Sequence, residues 1–272
     1  MKLLAILVGA KSAQACLDAA ATAARTLGDS SIEALNIVVD PEHIIAPSEE
    51  IEFQRLRERR EGNVHERAAA THAAFTLWST HADGPIPSVE WKSIVGTEED
   101  IVCREASQAD VVILVLAREH NLDSGDALHA AVYRSRKPVL LVPCDWRSDG
   151  KKTFEHILVA LSHSDAARRA IGGAGAMLRG ATRVSALRVG TKDDLAMELV
   201  AQIQQAGIEP EVHVVPRFGK DLGAQIVAEA KSLGADLIVA GAYRHSEMIE
   251  WFMGGTTRHM LAAADLPLLL AH

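Results

Sequence analysis

Short apolar runs alternate along the chain with segments whose apolar residues recur at helical spacing. The runs include Ala5-Ile6-Leu7-Val8, Ile32–Val39, Val111–Leu114, Val139–Val142, Ile157–Ala160, Arg183–Val189, Leu237–Ala240 and Leu268–Leu270. Unbroken runs of this kind suit strands buried on both faces of a parallel sheet. Between them, Ala167, Ile171, Ala174 and Leu178 share one helical face, as do Leu195, Leu199 and Ile203, then Ile226, Ala230 and Leu233. The alternation predicts an α/β fold with doubly wound sheets.

The pattern occurs twice. Val89-Glu90-Trp91-Lys92-Ser93-Ile94-Val95-Gly96, continuing through Ile101–Ala106 to Ala109-Asp110-Val111, has its partner in Val212–Gly219, Ile226–Ala230 and Ala235-Asp236-Leu237. Lys137-Pro138-Val139 likewise matches Leu266-Pro267-Leu268. The polar stretch Asp145–Lys152 marks the junction and divides the chain into 1–148 and 149–272. The halves differ within Glu42–Pro87, where the first carries extra chain. There the spacing of Val64, Ala68, Thr71, Phe75 and Trp78 predicts a long helix, and the charged run Glu49–Glu61 before it reads as a solvated face.

Composition narrows the function classes. At 272 residues, 48% hydrophobic and 24% charged, each half can bury its own core. The formal charge of -8, without a dense Lys/Arg block beside aromatics, argues against nucleic acid as main partner. Cys16, Cys103 and Cys144 are widely spaced, form no CxxC, and read as thiols in a reducing compartment. Met1-Lys2 and Leu3–Ala10 resemble a short leader, but the same pattern recurs at Ile157–Ala160, so a buried strand is the preferred reading. No segment approaches the ~20 apolar residues of a membrane span.

The candidate chemistry lies in the second half. The strand Leu237–Ala240 runs into Gly241-Ala242-Tyr243-Arg244, and Gly254-Gly255-Thr256-Thr257 opens a helix that stops before Pro267. Glycine lets backbone approach a ligand at a strand's carboxyl end. A glycine pair can point successive N–H groups inward. The helix start adds unpaired N–H groups and a positive dipole end, and Thr256 can cap it or donate to phosphate. A tight strand-to-helix connection is the bland alternative.

Gly241, two residues, a fourth position, nine residues and Gly254, set between that strand and helix, resemble the nucleotide-binding loop of the universal stress protein family, Gly-x2-Gly-x9-Gly-[Ser/Thr]. The likeness covers about Glu155 to His272, and the first half less closely, so the chain resembles the family's tandem form. The resemblance implies five-stranded parallel sheets of order 3-2-1-4-5, ligand at the switch between strands one and four, and domain pairing through the last strands, Val139–Val142 and Leu268–Leu270. It implies an adenine nucleotide such as ATP, or another phosphate ligand, lined by Ala160, Ser162, Val189, Gly241, Tyr243, Arg244, Gly254, Gly255 and Thr256. Departures are plain: Arg244 replaces the second glycine, Gly255 the Ser/Thr, and Ser162 stands where an adenine-reading Asp is expected. Losing a buried hydrogen-bond partner removes about 1–3 kcal/mol. Arg244 on a phosphate would return about 1.5–3 kcal/mol, less about 1–2 kcal/mol if its backbone must be left-handed. Retention and loss of binding both stay open. In the first half Ala117–Gly125 lacks the paired glycines, so that half is expected to lack the phosphate site and to serve as a structural partner.

Other constellations are weaker. The twelve histidines form no HExxH or Cys/His cluster, so no metal site is expected. Ser162, His163, Ser164 and Asp165 read as the turn and cap of the next helix, not a triad. No P-loop and no GxGxxG follows a strand. The expectation is a cytoplasmic stress-response binding protein, not an enzyme, with weak ATP hydrolysis the least supported reading. A ligand-free protein-interaction scaffold is the alternative, and association into a homodimer is compatible with either.

Overall fold

Two aspartates that the repeat brings into register tie the sheet together in both halves. Asp110 Oδ2 accepts from Lys2 N at 2.8 Å while Asp110 N donates to the Lys2 carbonyl. Asp236 Oδ1 accepts from His156 N at 3.2 Å while Asp236 N donates to the His156 carbonyl. These contacts come from a computed structural model that describes residues 1–40, 42, 48–81, 88–116, 125–148, 150–162, 164–191, 194–242 and 255–271.

The first domain runs β1 (Lys2–Ile6), α1 (Ala10–Leu27), β2 (Ser31–Val38), α2 (Ser48–Glu61), α3 (Val64–His81), β3 (Ser88–Val95), α4 (Glu98–Ala106), β4 (Val111–Leu116), α5 (Gly125–His129) and β5 (Val139–Pro143). The second runs β6 (His156–Ala160), α6 (Asp165–Gly180), β7 (Arg183–Val189), α7 (Asp194–Gln205), β8 (Glu211–Val215), α8 (Leu222–Leu233), β9 (Leu237–Gly241), α9 (Gly255–Ala263) and β10 (Leu268–Ala271). All ten strands join one sheet, ordered β3-β2-β1-β4-β5-β10-β9-β6-β7-β8. Each half therefore has order 3-2-1-4-5 and parallel pairing, as expected.

The halves meet through β5 and β10, the one antiparallel pair among the described residues, with Leu269 opposite Leu140. This edge of each sheet is thereby consumed within the chain. Helix packing reinforces the join: a Cβ on Gly180 of α6 would lie 1.9 Å from the Thr26 carbonyl oxygen of α1. Thr26 Oγ1 also accepts from the backbone N of buried Phe154 at 2.8 Å. One core layer holds α1, α6 and α7, with Trp78 of α3; the other holds α4, α5, α8 and α9. Burying such aliphatic faces contributes about 25 cal/mol per Å2.

Lys2–Ile6 is a central strand and Ala13–Ala15 lies inside α1, as the buried-strand reading of the N-terminal segment requires. In the extra chain the helix expected from the spacing of Val64 to Trp78 is α3, and the charged run before it forms a helix of its own, α2. Gly62 at φ 90° ends α2, and Asn63 starts α3 with a reciprocal cap. Asn63 Oδ1 accepts from Glu66 N at 2.9 Å and Glu66 Oε2 from Asn63 N at 3.0 Å, the pairing of a capping box. The charged run is not wholly solvated either, because Gln54 and Arg57 of α2 are buried.

Candidate functional site

The chain reverses direction across the second sheet between β6 and β9. From β6 it goes outward to β7 and β8; from β9 it goes to β10. In an open parallel sheet the carboxyl ends at such a switch point leave a crevice where ligands bind. Ala160 ends β6, Val189 ends β7 and Gly241 ends β9, so three of the expected residues lie at this end of the sheet. Ala160 and Val189 are both buried.

Beyond β6, Ser162 Oγ lies 3.2 Å from Ser164 Oγ. Ser164 caps α6 by accepting from Ala167 N at 3.1 Å, in line with the turn-and-cap reading of this stretch. Gly241 has a packing reason of its own. A Cβ there would meet Ala167 N at 2.5 Å and the Ala166 carbonyl carbon at 2.6 Å, so the glycine lets β9 abut the first turn of α6. Gly255 opens α9 and Thr256 is half-buried in its first turn. Tyr243, Arg244 and Gly254 lie outside the described residues, as does His163.

One positioning residue had no clear signal in the sequence. Gly223, in the first turn of α8, would place a Cβ 2.3 Å from the Thr256 carbonyl oxygen and 2.5 Å from Met260 N. It thus lets α9 lie directly on α8. Asp221 sharpens the contact by capping α8 through Ala224 N at 2.9 Å and pairing with His259 Nδ1 of α9 at 3.1 Å. The start of α9 is therefore held by backbone contact rather than by a long side chain. Gly223 was hard to foresee because its contacts are more than thirty residues away in sequence.

The matching end of the first domain is built differently. Arg57 of α2 donates from Nη2 to the Val8 carbonyl at 3.2 Å, just past the end of β1. Glu98, buried at the start of α4, accepts from Ala127 N of α5 at 3.0 Å through Oε2. The chain's own cation and carboxylate thus occupy this end, while residues 117–124 lie outside the described part.

Displaced titrations include His156 at the start of β6 and, in the first domain, Glu105 and Cys16. Burial is the main cause lowering the His156 pKa, and His156 Nε2 lies 2.9 Å from Ser185 Oγ. In the first domain, burial raises the Glu105 pKa, but hydrogen bonds from Lys92 and Arg104 with their charges outweigh it and leave it lowered. Burial pushes the Cys16 thiol up. Among the described residues there is no group of three or more His, Cys, Asp or Glu able to hold a metal. The described part of the second domain's carboxyl end offers the Ser162 hydroxyl, backbone groups and the start of α9.

Comparison with known proteins bears on this geometry. Residues 183–272 match the model of the universal stress protein family. The match takes in the second domain from β7 to its end, which is therefore similar to that family. No curated protein matches the sequence. A universal stress protein from Archaeoglobus fulgidus superposes with TM-score 0.60 at 16% identity, covering 99% of this chain and 97% of its own. A functionally unknown protein from Pseudomonas aeruginosa PAO1 superposes at 0.53 with 15% identity, covering 99% and 92%. The cytoplasmic domain of a prokaryotic cation chloride cotransporter reaches 0.50 at 12% identity, covering 99% and 94%. These likenesses extend the universal stress fold over both halves. Because one fold serves such different proteins, function rests on the site. Among the described residues, no helix is long and apolar enough to cross a membrane.

Proposed function

We propose that this chain is a cytoplasmic stress-response binding protein whose second domain takes an adenine nucleotide, or a related phosphate ligand, at the carboxyl ends of β6 and β9. The first domain acts as its built-in pairing partner. The reading is supported by one observation: in a domain whose residues 183–272 match the universal stress protein family, the ends of β6, β7 and β9 lie side by side where the chain reverses direction. In this role Ala160 and Val189 flank the base, Ser162 offers a hydroxyl, and Gly241, Tyr243 and Arg244 lead toward the phosphates. Gly254, Gly255 and Thr256 contribute backbone and hydroxyl donors at the start of α9. Binding would change shape or association state; no hydrolytic step is assigned.

A ligand-free scaffold is the second reading. It is favoured by Gly241, because close packing against α6 already requires a glycine there. The readings separate by denaturing freshly purified protein, identifying released nucleotide by mass spectrometry, and titrating ATP and AMP into wild type and Gly254→Val. The binding reading expects saturable binding weakened at least about tenfold by Gly254→Val, roughly 1.4 kcal/mol or more. No wild-type binding at millimolar ligand favours the scaffold, and binding indifferent to Gly254→Val rejects the loop.

A further inference from the structure

The ten-stranded sheet ends in β8, whose outer edge is open. Gly190 N, at the end of β7, donates to the Val215 carbonyl at 2.8 Å, so Val215 turns its backbone groups toward β7. Along a strand these groups alternate between the two sides. Glu211 and His213 therefore face β7 as well, and Val212 and Val214 direct their N–H and C=O groups outward. The side chains of these two valines lie on the sheet face of Ala186, in the layer of α6 and α7, and are 43% and 42% exposed. Pro210 and Pro216 bound the open stretch, since neither has an N–H to offer. The Pro216 carbonyl already accepts from Gln225 Nε2 at 2.8 Å. The opposite edge is guarded: Trp91 of β3 stacks against His72 and Phe75 of α3, and Lys92 in mid-strand pairs with Glu105. Cover and charge of that kind blunt a sheet edge. Among the described residues, the second domain places α7 alone where the first has α2 and α3.

The β8 edge is complementary to itself. An antiparallel copy, related by a two-fold axis beside His213, sets Val212 opposite Val214 of the second copy and Val214 opposite its Val212. The four outward N–H groups then meet four outward carbonyls, and the four valines form one apolar cluster. The same register brings Glu209 opposite Arg217 of the second copy, and the symmetric pair likewise. Both side chains are exposed, and their bonds within the chain are local. Glu209 Oε2 accepts from Gln204 Nε2 at 3.1 Å, and Arg217 Nη2 donates to the Lys220 carbonyl at 3.5 Å. Glu211 is already held by Arg183 Nε at 3.1 Å and does not compete. Moving the axis to Val212 would set Val214 opposite Pro210 and Glu209 opposite Val215. Hydrogen bonds, apolar surface and charge therefore agree on the axis at His213.

We propose that two copies of this chain associate through β8, by antiparallel two-fold strand addition in the register Val212 to Val214. The interface is isologous, so it closes at two copies and continues the ten-stranded sheet of one into that of the other. It uses neither the β5–β10 join nor the β6–β9 crevice and stands apart from the nucleotide reading. A contact of this size belongs to the weak class, with a Kd on the order of 10–100 μM.

The test is sedimentation equilibrium of the full chain up to about 500 μM, several times the expected Kd. Wild type should pass from monomer to dimer and stop there. Val214→Lys puts a charge on the open edge and should weaken association at least about tenfold. Glu209→Arg and Arg217→Glu should each weaken it about threefold to tenfold, since like charges then face each other twice across the axis. Combining Glu209→Arg with Arg217→Glu should restore the wild-type constant, because opposite charges face each other again. Urea midpoints of the dilute monomers show whether each variant is folded. Should Val214→Lys lower its midpoint, the exposed charge variants carry the test alone. A chain that stays monomeric throughout the range would overturn the proposal. So would a double variant that fails to regain association, or an association indifferent to Val214→Lys. Growth beyond the dimer with concentration would also overturn it, in favour of a head-to-tail contact.

Discussion

Lys2, Glu33 and Lys92 of the first domain hold the sheet positions that His156, Ser185 and His213 hold in the second. In the first domain they form ion pairs, with Lys2 Nζ 2.8 Å from Glu33 Oε2 and Lys92 paired to Glu105. In the second, His156 and Ser185 are linked at 2.9 Å, and Ser185 lies 3.4 Å from His213 Nε2. Yet Asp110 and Asp236 make the same backbone contacts in both. The comparison teaches that duplication has kept what satisfies the backbone and fills the core, while side chains around that frame have changed their chemistry. The same division holds at the carboxyl ends. Arg57 and Glu98 fill that end of the first domain from within, whereas in the second Leu222 stands where Glu98 opens α4, and Gly223 brings α8 and α9 together.

The shared frame can be broken most severely at the domain join. Gly180→Val would drive a side chain into the Thr26 carbonyl, and overpacking backbone against backbone should remove about 3 kcal/mol. Urea unfolding checks this; a loss no larger than that of a surface substitution, about 0.5 kcal/mol, would deny the α1–α6 contact. Next in size is Arg57→Ala, which leaves the Val8 carbonyl without its guanidinium partner. A loss of about 1–3 kcal/mol is expected. Hydrogen exchange should quicken in α2 and at the end of β1 while the second domain stays protected. Equal loosening of both domains would contradict the local role of α2.

The smallest effect is the response to acid. His156 has a lowered pKa when folded, so the unfolded chain binds its proton more readily; stability is full above the ordinary histidine value of about 6.5 and falls as pH drops below it. Glu105 is also lowered, but its contribution is full above the ordinary glutamate value of about 4.3 and is lost only below that. Mild acid should therefore loosen the second domain before the first. His156→Gln should flatten the upper part of the pH profile, measured as unfolding midpoint against pH.

The sheet order was legible because apolar runs, helical spacing and the Ala-Asp pairs recur in both halves, and the resemblance of the Gly241–Thr256 loop supplied the strand order. The site was legible only in outline. Gly241 reads as a ligand contact from sequence, and the structure adds a packing role against Ala166 and Ala167, more than seventy residues earlier. The break between α2 and α3 was written in Gly62, Asn63 and Glu66 and was masked by the continuous charge on either side. Arg57 looked solvated because charge runs usually are; its burial depends on where α2 returns across β1, which local sequence does not encode.

The most direct test of where ligand goes is photolabelling of the full chain with azido-ATP, followed by peptide mapping. Label confined to segments 157–162, 186–191 or 238–260 is expected, with protection by unlabelled ATP. Protected label in the first domain, around Val8 or α2, would contradict assignment of the site to the second domain.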